Sequence, residues 1–259
     1  DDQNPFFTSN TSLTFNWGGT TDKVNTAVIT QQSRSHNEKV VDRLQYYLNY
    51  LRDGKYQQVN AYRQTPFLVE VDTTKPQMLN KQIKIVFKDS VNYNLSVSFK
   101  EAGNINLQNY GTKERSTRFV DAGEFSQDFK IGEPVRLPFF SGVLMPNPEV
   151  ISNPGTPYYI VFRNYDGIVR RYLGIRVDPE SKGSSVLRMR LTGDNKAQLV
   201  DYLNTSVEVL SEDMLERKNL FATKTIKFID SSLAIKAAEL STVEDELNQF
   251  KNKNAIFNL

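Results

Sequence analysis

Few residues in the chain are of the types that carry out catalysis. The sequence has no cysteine and a single histidine, His36, so thiol chemistry is excluded and any histidine ligand or base would have to be that residue. We expect His36 on the polar face of a helix, which is a poor place for either role. The carboxylate runs Glu212–Asp213 and Glu244–Glu246 are predicted on the outside of a helix, whereas a glycosidase acid needs an apolar or carboxylate-paired cleft.

Sequence motifs for nucleotide, metal and acyl chemistry are also absent. There is no phosphate loop, no H-E-x-x-H, no G-x-S-x-G and no G-x-G-x-x-G. The sequence therefore predicts no catalytic residue, no metal site and no cofactor. A glycan-processing enzyme, which requires two carboxyl groups in one cleft, is the least favoured function.

Arginines form the second group of residues whose chemistry could serve a function, in this case the binding of anions. Arg170 and Arg171 fall in one predicted strand and Arg188 and Arg190 in another, and residues two apart on a strand share a face. Such a face could contact an anionic polymer or lipid headgroups. It could equally pair with carboxylates of a neighbouring element, which is the preferred interpretation.

The overall charge argues against a nucleic-acid partner. The 259 residues include 32 Lys and Arg against 30 Asp and Glu, a net charge of +2, whereas phosphate binding needs a clustered basic excess. The sequence also lacks any run of ~18 apolar residues that would span a bilayer. It begins at Asp1 without a signal-like segment and ends inside a helical pattern. We therefore expect a soluble piece of a longer protein.

The N-terminal part reads as helix. Apolar residues recur at three- and four-residue spacings, and Ser35 and Glu38 match a capping box. A single helix over Asp22–Tyr50, broken near Ser33, fits the pattern equally well.

The central part reads as strands, with β-branched and aromatic residues between clusters of turn formers. Short strands at regular intervals predict an antiparallel β-sandwich or a strongly curved sheet. The predicted strands are Leu13–Trp17, Phe67–Val71, Gln82–Phe87, Asn94–Phe99, Ser116–Val120, Val135–Phe140, Tyr158–Arg163, Gly167–Val177 and Ser185–Leu191.

The helical period returns after Gly193, with Asp194 as the predicted N-cap. Beyond Phe221 the pattern sharpens into heptads, which are typical of a helix that protrudes and pairs with another helix. The polar exceptions, Lys236 and Asn254, are candidates for setting the register. An ordinary amphipathic helix on a domain core is the alternative. The predicted seam and oligomer contacts are Ile226, Ile229, Leu233, Leu240, Val243, Leu247 and Phe250.

Several short stretches then occur in an order found in a known family. They are Val28–Arg34 (VITQQSR), Thr65–Val71 (TPFLVEV), Ser185–Leu191 (SVLRMRL), Lys196–Asn204 (KAQLVDYLN) and Thr225–Ile229 (TIKFI).

This order resembles the periplasmic region of Wzz-type chain-length determinants, which are bacterial polysaccharide co-polymerases, and in particular the branch fused to a tyrosine autokinase. The resemblance covers about residues 25–70 and 160–259. Residues 72–157 look like an insertion without an assigned role.

The resemblance implies an α+β fold. Residues 1–65 and 160–220 would form a mixed membrane-proximal base, residues 66–159 a β-rich insertion, and residues 221–259 the start of a long protruding, coiled-coil-like helix. Family members carry one transmembrane helix before this region and one after it, so the chain would be the periplasmic part of an inner-membrane protein.

The resemblance also implies an assembly function without catalysis in this region. The expected partners are further copies of the chain, the polysaccharide polymerase and export machinery, the glycan and the inner membrane through flanking spans. Any kinase domain would lie outside the chain. A secreted carbohydrate-binding or adhesin module with a helical stalk is the alternative, and a row of exposed coplanar aromatics on one sheet face would favour it.

Overall fold

The computed structural model describes residues 20–181 and 184–253, with side chains from Val24 onward. It confirms the α+β class and the long C-terminal helix. The predicted strand Leu13–Trp17 and the seam residue Asn254 lie outside the described residues. The helices are α1 (Thr20–Gln32), α2 (Arg34–Leu44), α3 (Tyr165–Tyr172) and α4 (Lys196–Lys253). The strands are β1 (Leu48–Asp53), β2 (Gln58–Asn60), β3 (Phe67–Val71), β4 (Pro76–Met78), β5 (Gln82–Phe87), β6 (Asn92–Phe99), β7 (Gly103–Asn109), β8 (Arg115–Val120), β9 (Gly123–Lys130), β10 (Pro134–Leu137), β11 (Phe140–Pro146), β12 (Pro157–Phe162), β13 (Arg176–Pro179) and β14 (Leu187–Arg190).

The break between α1 and α2 falls at Ser33, as one of the two sequence predictions had it. Ser33, not Ser35, is the cap, because its hydroxyl accepts a hydrogen bond from the backbone N–H of His36 at 3.3 Å. The buried amide of Asn37 closes the joint by donating to the carbonyls of Gln31 and Ser33, at 2.9 and 2.7 Å.

The prediction of helix as far as Tyr50 is wrong. The chain leaves α2 at Gln45, which has a φ of 50°, and then forms strand β1. Tyr47, Leu48 and Leu51 had matched a helical spacing, but Leu48 and Tyr50 alternate in burial with their neighbours, which is the two-residue period of a strand.

The largest sheet has six strands in the order β2-β1-β12-β5-β6-β9, and every strand pair in the described residues is antiparallel, as predicted. Strands from both sides of residue 66 share this sheet, since β1 pairs with β12 and β12 pairs with β5. Three smaller sheets complete the fold. By contacts, the chain divides between Val209 and Leu210. The division into base, insertion and helix stays a prediction.

Strands β6 to β9 form one long two-stranded ribbon. β6 pairs with β9 from Asn92 opposite Lys130 to Phe99 opposite Gly123, and β7 pairs with β8 beyond that point. Residues 100–102 and 121–122 interrupt the pairing, and there the ribbon passes from the six-stranded sheet into the sheet β4-β7-β8. Gly123 has a φ of 146°, which favours glycine at this bend.

Two of the predicted strands are corrected. Most of Gly167–Val177 is not a strand, because Asn164 caps helix α3 by accepting from the N–H of Gly167 at 3.0 Å. Only Arg176 and Val177, at its end, lie in a strand, which is β13. α3 buries Tyr165, Val169 and Tyr172, which are four and three residues apart. Val135–Phe140 is divided by a turn between β10 and β11. The unpredicted strands are β1, β2, β4, β7, β9 and β11.

A cluster of buried tyrosines holds the first turns of α4. Tyr172 and Tyr202 stack with ring centroids 4.1 Å apart, and Tyr46 packs beside both. The hydroxyl of Tyr46 donates to the carbonyl of Gln198 at 2.7 Å. Asn195 is the helix cap, since its side-chain oxygen accepts from the N–H of Gln198 at 3.1 Å, so the prediction of Asp194 is wrong.

The cluster predicts a large penalty for removing one ring. Tyr202 is fully buried, stacks on Tyr172 and donates its hydroxyl proton to Asn37. We expect Tyr202→Ala to lower the free energy of unfolding by ~3–5 kcal/mol, as measured by urea denaturation. Tyr202→Phe keeps the ring and should cost only ~1 kcal/mol. Equal losses in the two variants would show that the stack contributes little.

The buried tyrosines also predict instability at alkaline pH. Burial raises the pKa of Tyr50 and of Tyr172 to about 12, above the ~10 of an unfolded tyrosine. The unfolded chain therefore loses these protons first, so their stabilising contribution is complete below pH ~10 and disappears as the pH rises toward 12. Urea midpoints measured across this interval should fall, together with a rise in phenolate absorbance. A constant midpoint would contradict this assignment.

Candidate assembly surface on the C-terminal helix

From Leu210 onward, α4 continues without a break to Lys253, and most of its large apolar side chains are exposed. The predicted seam residues therefore lie on one helix at heptad spacing, and each residue is between 49 and 63% exposed to solvent. Contiguous exposed apolar surface of this kind marks an interaction site. These residues are Ile226, Ile229, Leu233, Leu240, Val243, Leu247 and Phe250.

A second apolar stripe runs beside the seam and was missed by the sequence analysis. Met214, Phe221, Phe228 and Ile235 are spaced by seven residues and are 40 to 66% exposed. The spacing was visible in the sequence, but only the stronger a and d positions were considered. On a 3.5-residue period the two stripes span an arc of roughly 150°, with the polar residues Thr225, Ser232 and Glu239 between them, and this arc is wider than a single coiled-coil seam.

Lys236, the polar seam residue in the described part of α4, forms an ion pair within the same helix. The ammonium of Lys236 lies 2.7 Å from a carboxylate oxygen of Glu239, and both side chains are exposed. An exposed pair of this kind contributes little to stability. The proposed role of Lys236 in setting register therefore stays a prediction.

The four candidate arginines lie on two separate elements. Arg188 and Arg190 share a face of β14, and Arg188 is paired with Glu180. Arg170 and Arg171 lie in the last turn of α3, where consecutive residues do not share a face. Contact of these residues with a polymer or with headgroups stays a prediction.

A different charge cluster, which the sequence analysis missed, ties three elements together. Arg34 of α2 donates to Asp166 of α3 and to Glu38, and Arg115 of β8 lies 3.5 Å from the same Asp166 carboxylate. The hydrogen bond from Arg34 is the main cause that lowers the pKa of Asp166. Because these residues are far apart in sequence, only the fold reveals the cluster.

His36 is buried, so its prediction on an exposed polar face is wrong. Its Nε2 lies 2.8 Å from the hydroxyl oxygen of Ser206, and only 1% of the residue is exposed. The contact joins α2 to the first turns of α4. We assign His36 a packing role, because a buried ring bonded to a serine contributes to the core.

Across residues 20–181 and 184–253, no group of three or more histidines and carboxylates is arranged to hold a metal ion. Over the same ranges, no helix combines the length and the apolar character needed to cross a bilayer.

Comparison with known families gives no assignment. No protein-family model matches the sequence.

The Asp166 cluster predicts a small acid-dependent effect. Because its folded pKa is lowered, the carboxylate stabilises the fold above the unfolded value of ~3.9, and this contribution is lost as pH falls through the lower folded pKa. Asp166→Asn should be less stable than the parent at pH 7, and the difference should shrink in acid. Urea unfolding at several pH values tests this, and a difference that is independent of pH would contradict it.

Proposed function

We propose that the chain is the periplasmic assembly module of a polysaccharide co-polymerase. Copies would associate through α4, and the assembly would set the chain length or the export of a surface polysaccharide. The observation that carries the proposal is the exposed apolar surface of α4 from Met214 to Phe250. The order of sequence motifs supports the choice of family.

The size of the apolar surface explains why association would depend on anchoring. Burying a Leu, Ile or Phe side chain completely contributes ~1.5–3 kcal/mol, and half-exposed seam residues retain about half of that. Seven such residues supply on the order of 7 kcal/mol, which is comparable to the ~4–15 kcal/mol entropic cost of association. Confinement to a membrane would raise the local concentration and lower this cost.

The width of the apolar surface supports a closed ring. A helix that buries its a and d positions against one neighbour still exposes Met214, Phe221, Phe228 and Ile235. A second neighbour on the other side would cover them. Two different contact surfaces on each copy form a head-to-tail interface, and such interfaces close into rings when the rotation allows it.

The mechanism of such a module is geometric. The chain would contribute no catalytic residue, and the assembled copies would present a surface of fixed size to the growing glycan and to the polymerase. Any kinase activity would belong to another part of the protein.

The alternative of a carbohydrate-binding or adhesin module receives no specific support. Outside α4, the exposed large aromatic side chains in the described residues are Tyr56, in the turn after β1, and Phe119, on β8. These two residues do not form a row on one sheet face.

The proposal predicts that a charge in the seam disrupts assembly. Leu240→Lys, introduced into the complete protein in its membrane, places an ammonium in an apolar contact and should reduce the crosslinked oligomer and alter polysaccharide length. Ser241→Lys is the matched control, because position 241 is adjacent, exposed and about 100° around the helix from Leu240, outside the seam.

Two results would overturn the proposal. One is unchanged assembly in the Leu240→Lys protein. The other is a complete gene that encodes no apolar span on either side of this region.

A further inference from the structure

In the part of the chain that the structure describes, the six-stranded sheet ends in a long edge strand. Strand β9 pairs only with β6 in the described part of the chain, whereas the opposite edge strand, β2, has just three residues. β9 has eight residues, no proline and an uninterrupted register with β6. Proteins protect such an edge with prolines, bulges, short strands or charged side chains, because its free backbone groups can bind another strand. Of these devices β9 carries only charges, at Glu124, Asp128 and Lys130.

The hydrogen-bond pattern shows which residues face outward. The N–H of Ile131 donates to the carbonyl of Val91 at 2.8 Å, so residue 131 directs its backbone groups toward β6. Because the direction alternates along an antiparallel strand, the odd-numbered residues of β9 also bond to β6. The backbone N–H groups of Glu124, Ser126 and Asp128 therefore point away from the sheet, as does that of Lys130, the last residue of the strand.

In one register, the outward-facing residues of β9 are complementary to those of β9 in a second copy. If two β9 strands pair antiparallel around a two-fold axis at Gln127, Glu124 of each copy lies opposite Lys130 of the other, and Ser126 lies opposite Asp128. Moving the axis by one residue places Glu124 opposite Asp128, which brings like charges together. The charges thus select the register centred on Gln127.

The side chains on the other face also match in this register. Phe125 and Phe129 are half-buried, and they pack against Phe139 and Tyr93 of the core, with ring centroids 5.2 and 6.0 Å apart. In the pair, Phe125 of each copy would lie opposite Phe129 of the other. The apolar layer would then continue across the junction, where aromatic cross-strand pairs are stabilising.

We propose that the β9 edge binds the β9 edge of a second copy of this chain, forming a two-fold antiparallel junction between the two sheets. The junction would add up to eight backbone hydrogen bonds and two Glu124–Lys130 ion pairs. It goes beyond the proposed function, because it uses a surface separate from α4 and does not require a membrane.

Disulfide trapping tests the register directly, because the chain contains no cysteine. The parent chain should carry Leu240→Lys, so that helix association does not contribute. In the proposed pair, the two copies of residue 127 face each other as a non-hydrogen-bonded pair with Cα atoms ~4.5 Å apart, within the range of a disulfide. Gln127→Cys should therefore form a covalent dimer on mild oxidation.

Ser126→Cys is the matched control. It is equally exposed and adjacent, but its two copies lie off the axis, beyond the ~7 Å that a disulfide can bridge. A covalent dimer with Ser126→Cys and none with Gln127→Cys would overturn the proposed register.

Charge exchange provides a second test that needs no crosslink. Lys130→Glu should weaken dimerisation roughly tenfold or more in sedimentation equilibrium, because two attractive pairs become repulsive. The double variant Glu124→Lys, Lys130→Glu restores the pairs and should restore the affinity. If both variants dimerise as the parent does, the junction is excluded.

Amide exchange distinguishes a second copy from any other occupant. The amides of Ser126 and Asp128 should become protected only as dimer forms with rising concentration. A monomeric chain with these amides already protected would show that a segment of the same chain covers the edge, and the proposal would fail.

Discussion

The stacking of Tyr172 on Tyr202 is the contact on which the compact part of the molecule depends. These two rings, with Tyr46 beside them, bring α3, the first turns of α4 and the turn after α2 to one place, although the residues are far apart in sequence. The hydroxyl groups of Tyr46 and Tyr202 donate to the backbone carbonyl of Gln198 and to the side-chain amide of Asn37. Large rings whose polar ends are satisfied provide both apolar burial and a fixed orientation, so the cluster specifies this arrangement of the helices and no other.

The two parts of α4 differ in how far their apolar side chains are buried. Up to Val209 the helix contributes Tyr202, Ser206 and Val209 to the core, whereas from Leu210 onward the spacing of apolar residues is just as regular but most of them are exposed among the described residues. A regular pattern of exposed apolar residues is what a self-associating helix requires. The same reasoning applies to β9, whose backbone groups are ordered for pairing but which has, among the described strands, a neighbour on one side only.

Much of the fold could be predicted where the apolar residues follow a single period, either that of a strand or that of a helix. Phe67–Val71 and Gln82–Phe87 were predicted at their observed bounds, because alternation and turn residues agreed. The prediction failed at Tyr47 and Leu48, whose spacing fits helix and strand equally well, and in α3, where β-branched residues concealed a capped helix. β9 was missed because its few aromatic residues are flanked by polar residues.

The candidate surfaces differ in how far the sequence predicts them. The heptad spacing of apolar residues on α4 could be recognised in the sequence, since it depends on positions within one helix. The Asp166 cluster and the buried position of His36 could not, because each depends on contacts between segments more than a hundred residues apart.

The buried amide of Asn37 has a consequence for how the chain enters the folded unit. Its side chain donates hydrogen bonds to the carbonyls of Gln31 and Ser33 and accepts one from the hydroxyl of Tyr202. All three bonds form together only in this arrangement. Straightening the joint between α1 and α2 would strand these groups in an apolar interior. The bend therefore links the direction of α1 to the tyrosine stack, because a change in its angle would break hydrogen bonds of Asn37, which also contacts Tyr202.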